Sequence, residues 1–198
     1  MGGNTSIMTN QGVEISPERV PLDVIGRSKF VKLLQNFIIT LNKEFEKEHK
    51  YKIWEDESEI KNGGIFNGST SFIMSPDFSD SEVVKYKKSA GDADVAFPRE
   101  YAKDVYNFLE KNEGREFIKN VIYMGNNANN ENKLGNTIIC VIKMQFDNIV
   151  INVQVDLELS EFVNGEEQKG YIEGNKIYDF NGKYLTSIDK VEILKNGW

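Results

Sequence analysis

Two runs in the second half of the chain, "TIICVIKMQF" and "IVINVQVDLEL", are separated only by Asp147-Asn148, a pair that turns a backbone straight back on itself. An antiparallel hairpin is expected there. In its second strand Ile151, Val153, Val155, Leu157 and Leu159 take alternate positions, which puts Asn152, Gln154, Asp156 and Glu158 on the opposite face. One face belongs to a core. The other is a polar stripe on an otherwise apolar strand, and it needs a partner.

A chain of 198 residues, 39% apolar and 11% aromatic, can bury such a face within one domain, and 1–198 is read as a single domain. Residues 1–24, with Pro17 and Pro21, are expected to form an irregular arm, and 160–198 a C-terminal extension. From Ser28, a plausible N-cap, Phe30, Val31, Leu33, Leu34, Phe37, Ile38, Leu41 and Phe45 recur at helical spacing to about Lys50. "GGIFNGSTSFIMSP" breaks that pattern and reads as a loop feeding one short helical turn. "DADVAF" alternates as a strand that Pro98 ends, and "REYAKDVYNFLEKNEG" has a helical apolar face with Gly114 near its end. "NVIYMG" reads as a short strand and 126–136 as an exposed, asparagine-rich loop. Turn signals at Asn164-Gly165 and Asn181-Gly182 point to a last hairpin around "KIYDF" and "KYLTSI". The expected class is α+β: a mixed β-sheet with flanking helices and a C-terminal β-hairpin.

Asp92 and Asp94 open the "DADVAF" strand. Residues i and i+2 of a strand share a face roughly 6 to 7 Å apart, so the two carboxylates project together and repel unless a cation sits between them. If this strand neighbours "INVQVDLEL", Asp156 joins the pair, and three carboxylates can hold two Mg²⁺ ions about 3.5 to 4 Å apart, an arrangement suited to in-line displacement at phosphorus. Upstream, Gly68 lets backbone amides approach phosphate oxygens and Ser69 adds a hydroxyl. Lys85, Lys87 and Lys88 precede the pair; they either meet phosphates or form a solvated helix face, and Lys88, nearest the pair, is the expected nucleotide contact.

"NGGIFNGSTSF", "GDADVAF" and "INVQVDLEL", in that order, resemble the nucleotidyltransferase superfamily typified by DNA polymerase beta, including its divergent and phage-encoded members. The likeness covers roughly residues 60 to 160. It implies a polymerase beta-like palm as the core of the mixed sheet. It also implies that Gly68 and Ser69 hold nucleotide phosphates, that Asp92, Asp94 and Asp156 bind Mg²⁺ or Mn²⁺, and that Asp156 activates the acceptor hydroxyl. The activity so implied moves an NMP from an NTP to a hydroxyl of an RNA end, a protein or a small molecule, with release of pyrophosphate. Twenty-two residues separate Ser69 from Asp92, more than is common in the family, so "PDFSDSEVVKYKKSA" is expected as an insertion or an extra helix over the site.

Net charge and cysteine count limit the alternatives. At −7 the chain lacks the charge of a protein held to nucleic acid by a basic face. Cys140 is the only cysteine, so internal disulfides and cysteine-rich zinc sites are excluded and a reducing, cytoplasmic setting fits. His49 is the only histidine, which leaves histidine-based catalysis one candidate, in a charged stretch ending a helix. No apolar run approaches the roughly 18 residues of a membrane span. "MGGNTS" matches a myristoylation pattern but is expected to be a solvated end. Glu158 is either a fourth ligand or, the expected reading, the next solvent-facing residue; Gln154 is expected either to orient Asp156 or to be an ordinary sheet-face amide, and Asp77, Asp80 and Glu82 only to solvate their segment. Tyr86 and Phe72 are expected in the core rather than against a base. The alternative functions are a catalytically idle nucleotide-binding or regulatory protein of the same fold, and an acidic interaction protein with no metal or nucleotide affinity.

Overall fold

A computed structural model describes residues 6–98, 101–126, 137–163, 166–168, 170–173, 176–179 and 184–187. The N-terminal arm carries three two-residue strands, β1 (Ile7–Met8), β2 (Glu14–Ile15) and β3 (Val20–Pro21). Four helices follow: α1 (Val24–His49), α2 (Glu57–Lys61), α3 (Gly68–Met74) and α4 (Asp80–Tyr86). After β4 (Ser89–Ala90) and β5 (Asp92–Pro98) come α5 (Ala102–Glu110), β6 (Glu116–Ile118), β7 (Val121–Asn126), β8 (Thr137–Phe146) and β9 (Ile149–Val163). The chain continues with β10 (Glu166–Gln168), β11 (Gly170–Glu173), β12 (Lys176–Asp179) and β13 (Tyr184–Ser187).

The protein is α+β, with a mixed sheet and flanking helices. Strands run in the order β10-β9-β8-β7-β6, all antiparallel, and β5 joins β9 in parallel. The hairpin is as its spacing demands: Phe146 pairs with Ile149, and Asp147 takes a left-handed φ of 51° in the turn. On β9 Ile151, Val153, Val155 and Leu157 are buried, whereas Asn152, Gln154, Asp156 and Glu158 are only half-buried.

Helix α1 lays Phe30, Leu34, Phe37, Ile38, Leu41 and Phe45 into the core at three- and four-residue steps. It starts before Ser28. Asp23 is the N-cap, its carboxylate accepting from the Gly26 N–H at 2.6 Å. Val24 and Ile25, 47% and 67% exposed, lie off the apolar stripe, so the first turn has no periodic signature. At the other end Lys50 closes the helix in a left-handed conformation, as its position suggests.

Two buried polar side chains fasten the helices. Asn42 donates to the Trp54 carbonyl and accepts from the Ile53 and Trp54 amides, at 2.8 to 3.0 Å. Trp54 in turn donates from its indole to the Ala96 carbonyl on β5. Arg27 donates to the carbonyls of Ile73, Ser75 and Phe78 and pairs with Asp80 at 3.0 Å, so α1 grips the end of α3 and the start of α4.

The segment before Asp92 is helical, as one of the two expectations had it: α4 opens on a capping box between Ser79 and Glu82 and packs against α1. Asp80 and Glu82 are therefore structural rather than mere solvating charges. The glycine-rich run yields two turns of helix in α3, and α2, capped by Asp56, was not expected at all. At the C-terminal end β12 and β13 pair as foreseen, but β11 adds a third antiparallel strand, so the unit is more than a hairpin. The loop 127–136, the turns Asn164-Gly165 and Asn181-Gly182, and the start of "MGGNTS" lie outside the described residues. No helix among the described residues is long and apolar enough to cross a membrane.

Candidate metal centre

The parallel pairing of β5 with β9 sets Asp94 directly opposite Asp156, and Asp92 opposite Gln154. Both strands turn every second residue to the same face, so Asp92, Asp94 and Asp156 converge, with one oxygen from each within 4.8 Å of the others. All three are half-buried. Among the described residues no lysine or arginine forms an ion pair with any of them.

Crowded like charges with little water make ionisation costly. Burial, and then the nearby carboxylates Glu158, Asp92 and Asp156, push Asp94 up to about 7. Asp156 is pushed up to about 6, again mainly by burial; the hydrogen bond from Gln154 opposes the shift, and Asp92 and Glu158 add to it. That bond, Nε2 to Oδ1 at 2.8 Å, makes Gln154 the side chain that orients Asp156 and leaves Oδ2 for a ligand.

The shifts have a definite consequence for stability. In the unfolded chain both groups titrate near 3.8, so between about pH 4 and pH 7 the folded chain holds the extra protons. Their stabilising effect is full below pH 4 and is lost as the pH rises through about 6 and 7. In chelator the melting temperature is expected to fall by roughly 5 °C across that window, a figure discounted for the water that reaches both groups. Mg²⁺ or Mn²⁺ should restore it above pH 7, because a cation favours the charged forms. Melting curves at stepped pH, with chelator and with metal, check this; a flat difference between the two series would contradict it.

The glycine-serine turn lies against this cluster. The Asn67 N–H donates to the Asp94 carbonyl at 3.0 Å, and the Asp94 N–H donates to the hydroxyl of fully buried Thr70, also at 3.0 Å. Gly68 opens α3 at φ +55°, and a Cβ there would lie 3.4 Å from Asp94 Oδ2. Gly68 and Ser69 are both exposed beside the carboxylates.

The other residues singled out in the sequence make contacts of their own. Lys88 donates to the Val84 carbonyl at 2.6 Å, closing the end of α4. The Lys85 ammonium lies 5.3 Å from the Tyr86 ring centroid. Tyr86 is 72% exposed, contrary to the expectation of a core aromatic, whereas Phe72 packs against Phe78 and the core. His49, in the last turn of α1, stacks on Phe45 with ring centroids 4.3 Å apart. Glu158 does not simply face solvent: its Oε2 accepts from Asn67 Nδ2 at 2.9 Å. Asn67 and Thr70 carried no signal of their own, since a polar residue in a glycine-serine turn has no periodicity to fix its direction.

No protein-family model, curated protein or solved structure matches this chain. The chemistry of the site rests on its own geometry.

Proposed function

We propose that the protein is a metal-dependent nucleotidyltransferase that moves an NMP from an NTP to a hydroxyl acceptor. The observation that carries this reading is the meeting of Asp92, Asp94 and Asp156, from two adjacent strands, beside an exposed glycine-serine turn. Three uncompensated, half-buried carboxylates are a donor set for hard divalent cations such as Mg²⁺ or Mn²⁺. Ions held there would supply Lewis-acid stabilisation of the charge that builds on the triphosphate.

The chain's own residues do the rest. Gly68 leaves room for phosphate oxygens beside Asp94, and the Ser69 hydroxyl is free to donate to them. Gln154 keeps Asp156 in one orientation, with Oδ2 available to take the proton of the attacking hydroxyl. The acceptor oxygen then bonds to the α-phosphorus, the bond to the bridging oxygen breaks, and pyrophosphate leaves with the electron pair. The net charge of −7 favours an RNA end, a protein or a small molecule over long duplexes as acceptor. The single, buried Cys140 fits action in a reducing cytoplasm.

The test is incubation with each labelled NTP, Mg²⁺ or Mn²⁺ and a panel of the three acceptor classes. Label transfer with stoichiometric pyrophosphate is the expected result. Nucleotide binding without turnover would make the protein an idle member of the same fold, and neither metal nor nucleotide affinity would leave an acidic interaction protein.

A further inference from the structure

Asn67 stands at the N-cap of α3, where an asparagine side chain ordinarily accepts from an amide two or three residues on. It makes no such bond. Its Nδ2 reaches instead to Glu158 Oε2, 2.9 Å away on β9. A carboxylate can only accept, so the donor is unambiguous. Glu158 lies two residues beyond Asp156 on the same face, and its backbone is paired on both sides, with Thr137 on β8 and Ala96 on β5. The Asn67 main chain is meanwhile bound to the Asp94 carbonyl. The turn bearing Gly68 and Ser69 is thus fastened at one residue to both carboxylate-bearing strands.

We propose that Glu158 is a positioning residue: through its hydrogen bond to Asn67 it holds the glycine-serine turn at a fixed distance from Asp92, Asp94 and Asp156. Releasing the bond leaves the carboxylates in place and lets the turn move away from them. The loss therefore falls on binding of the triphosphate, a claim that rests on the nucleotidyltransferase reading, and on protection of the turn itself, which does not.

The variants E158A, N67A, E158Q and the E158A/N67A double, made in the full chain, separate the possibilities. Two readouts are needed: KM and kcat for the NTP at saturating Mg²⁺, and hydrogen exchange of the amides of residues 67–71. E158A and N67A are each expected to raise KM about tenfold with little change in kcat, and to speed exchange alike. The double variant should be no worse than either single one, because both remove the same bond. E158Q should recover most of the loss, since its amide oxygen accepts the same hydrogen bond. The proposal is overturned if E158Q is as damaging as E158A while N67A is harmless, which would make charge and not the bond the operative feature. It is also overturned if KM and exchange stay put while only the melting temperature moves. A wild type without turnover would remove the nucleotidyltransferase reading alone. Exchange would then decide: faster in E158A and N67A but not E158Q upholds the tether, and unchanged in all three refutes it.

Discussion

Replacing either Asp94 or Asp156 with alanine is expected to lower the rate of nucleotidyl transfer by about three orders of magnitude, with the protein still melting in one cooperative step. The size follows from the charge each carboxylate contributes: loss of roughly 4 kcal/mol of transition-state stabilisation is a thousandfold in rate. The fold should survive because neither side chain takes part in the core; the residues between and behind them, Ala93, Val95, Val155 and Leu157, do. Removing a carboxyl that burial, and then its charged neighbours, lift to about 7 should even raise the melting temperature in chelator at neutral pH, and that gain should vanish near pH 4. Single-turnover rates paired with melting curves make the comparison. An Asp94→Ala protein that transfers label at near wild-type rate would remove the metal centre from the mechanism, and one that fails to fold would show that the triad has a structural role.

The largest loss of stability is expected at Arg27, not in the apolar core. Its guanidinium is buried and gives four hydrogen bonds, three to main-chain carbonyls and one to Asp80, between 2.7 and 3.2 Å. Arg27→Met keeps much of the volume but leaves those acceptors without donors and Asp80 without its counter-charge. The cost should be about 3 to 5 kcal/mol, visible as a lower midpoint in urea at unchanged slope. Arg27→Lys should recover little, because one ammonium cannot serve acceptors spread across the planar fork of the guanidinium. A loss under about 1 kcal/mol in Arg27→Met would mean that water replaces the missing donors and that the α1, α3 and α4 contacts hold without them.

The sequence was informative where local geometry alone fixes direction. Alternation on β5 and β9 determines which face each Asp occupies whatever the rest of the chain does, so the triad needed only the pairing of two strands to become a cluster. The same holds for α1, whose apolar stripe fixed its buried face. Its first turn was invisible because Val24 and Ile25 lie off that stripe and the capping residue is Asp23. Asp80 and Glu158 were misread for a different reason. Each finds its partner far along the chain, Arg27 in one case and Asn67 in the other, and no spacing rule records such a bond. Tyr86 looked like core by residue type, yet α4 buries only Val83 fully and leaves the ring outside. The third C-terminal strand, β11, has a glycine and a polar end, too weak a pattern to stand out before its neighbours are known.

Strand β9 ties cohesion and chemistry to a single parity. Its odd-numbered positions from 151 to 157 are walls of the core, and its even-numbered positions carry Gln154, Asp156 and Glu158. A slip of one residue anywhere between the Asp147 turn and Asp156 would exchange the two sets, drawing a carboxylate inward and turning a valine out. A change in chain length can be absorbed in the connections outside β5 and β9 far more readily than within either strand, where reading frame in space is as strict as reading frame in the gene.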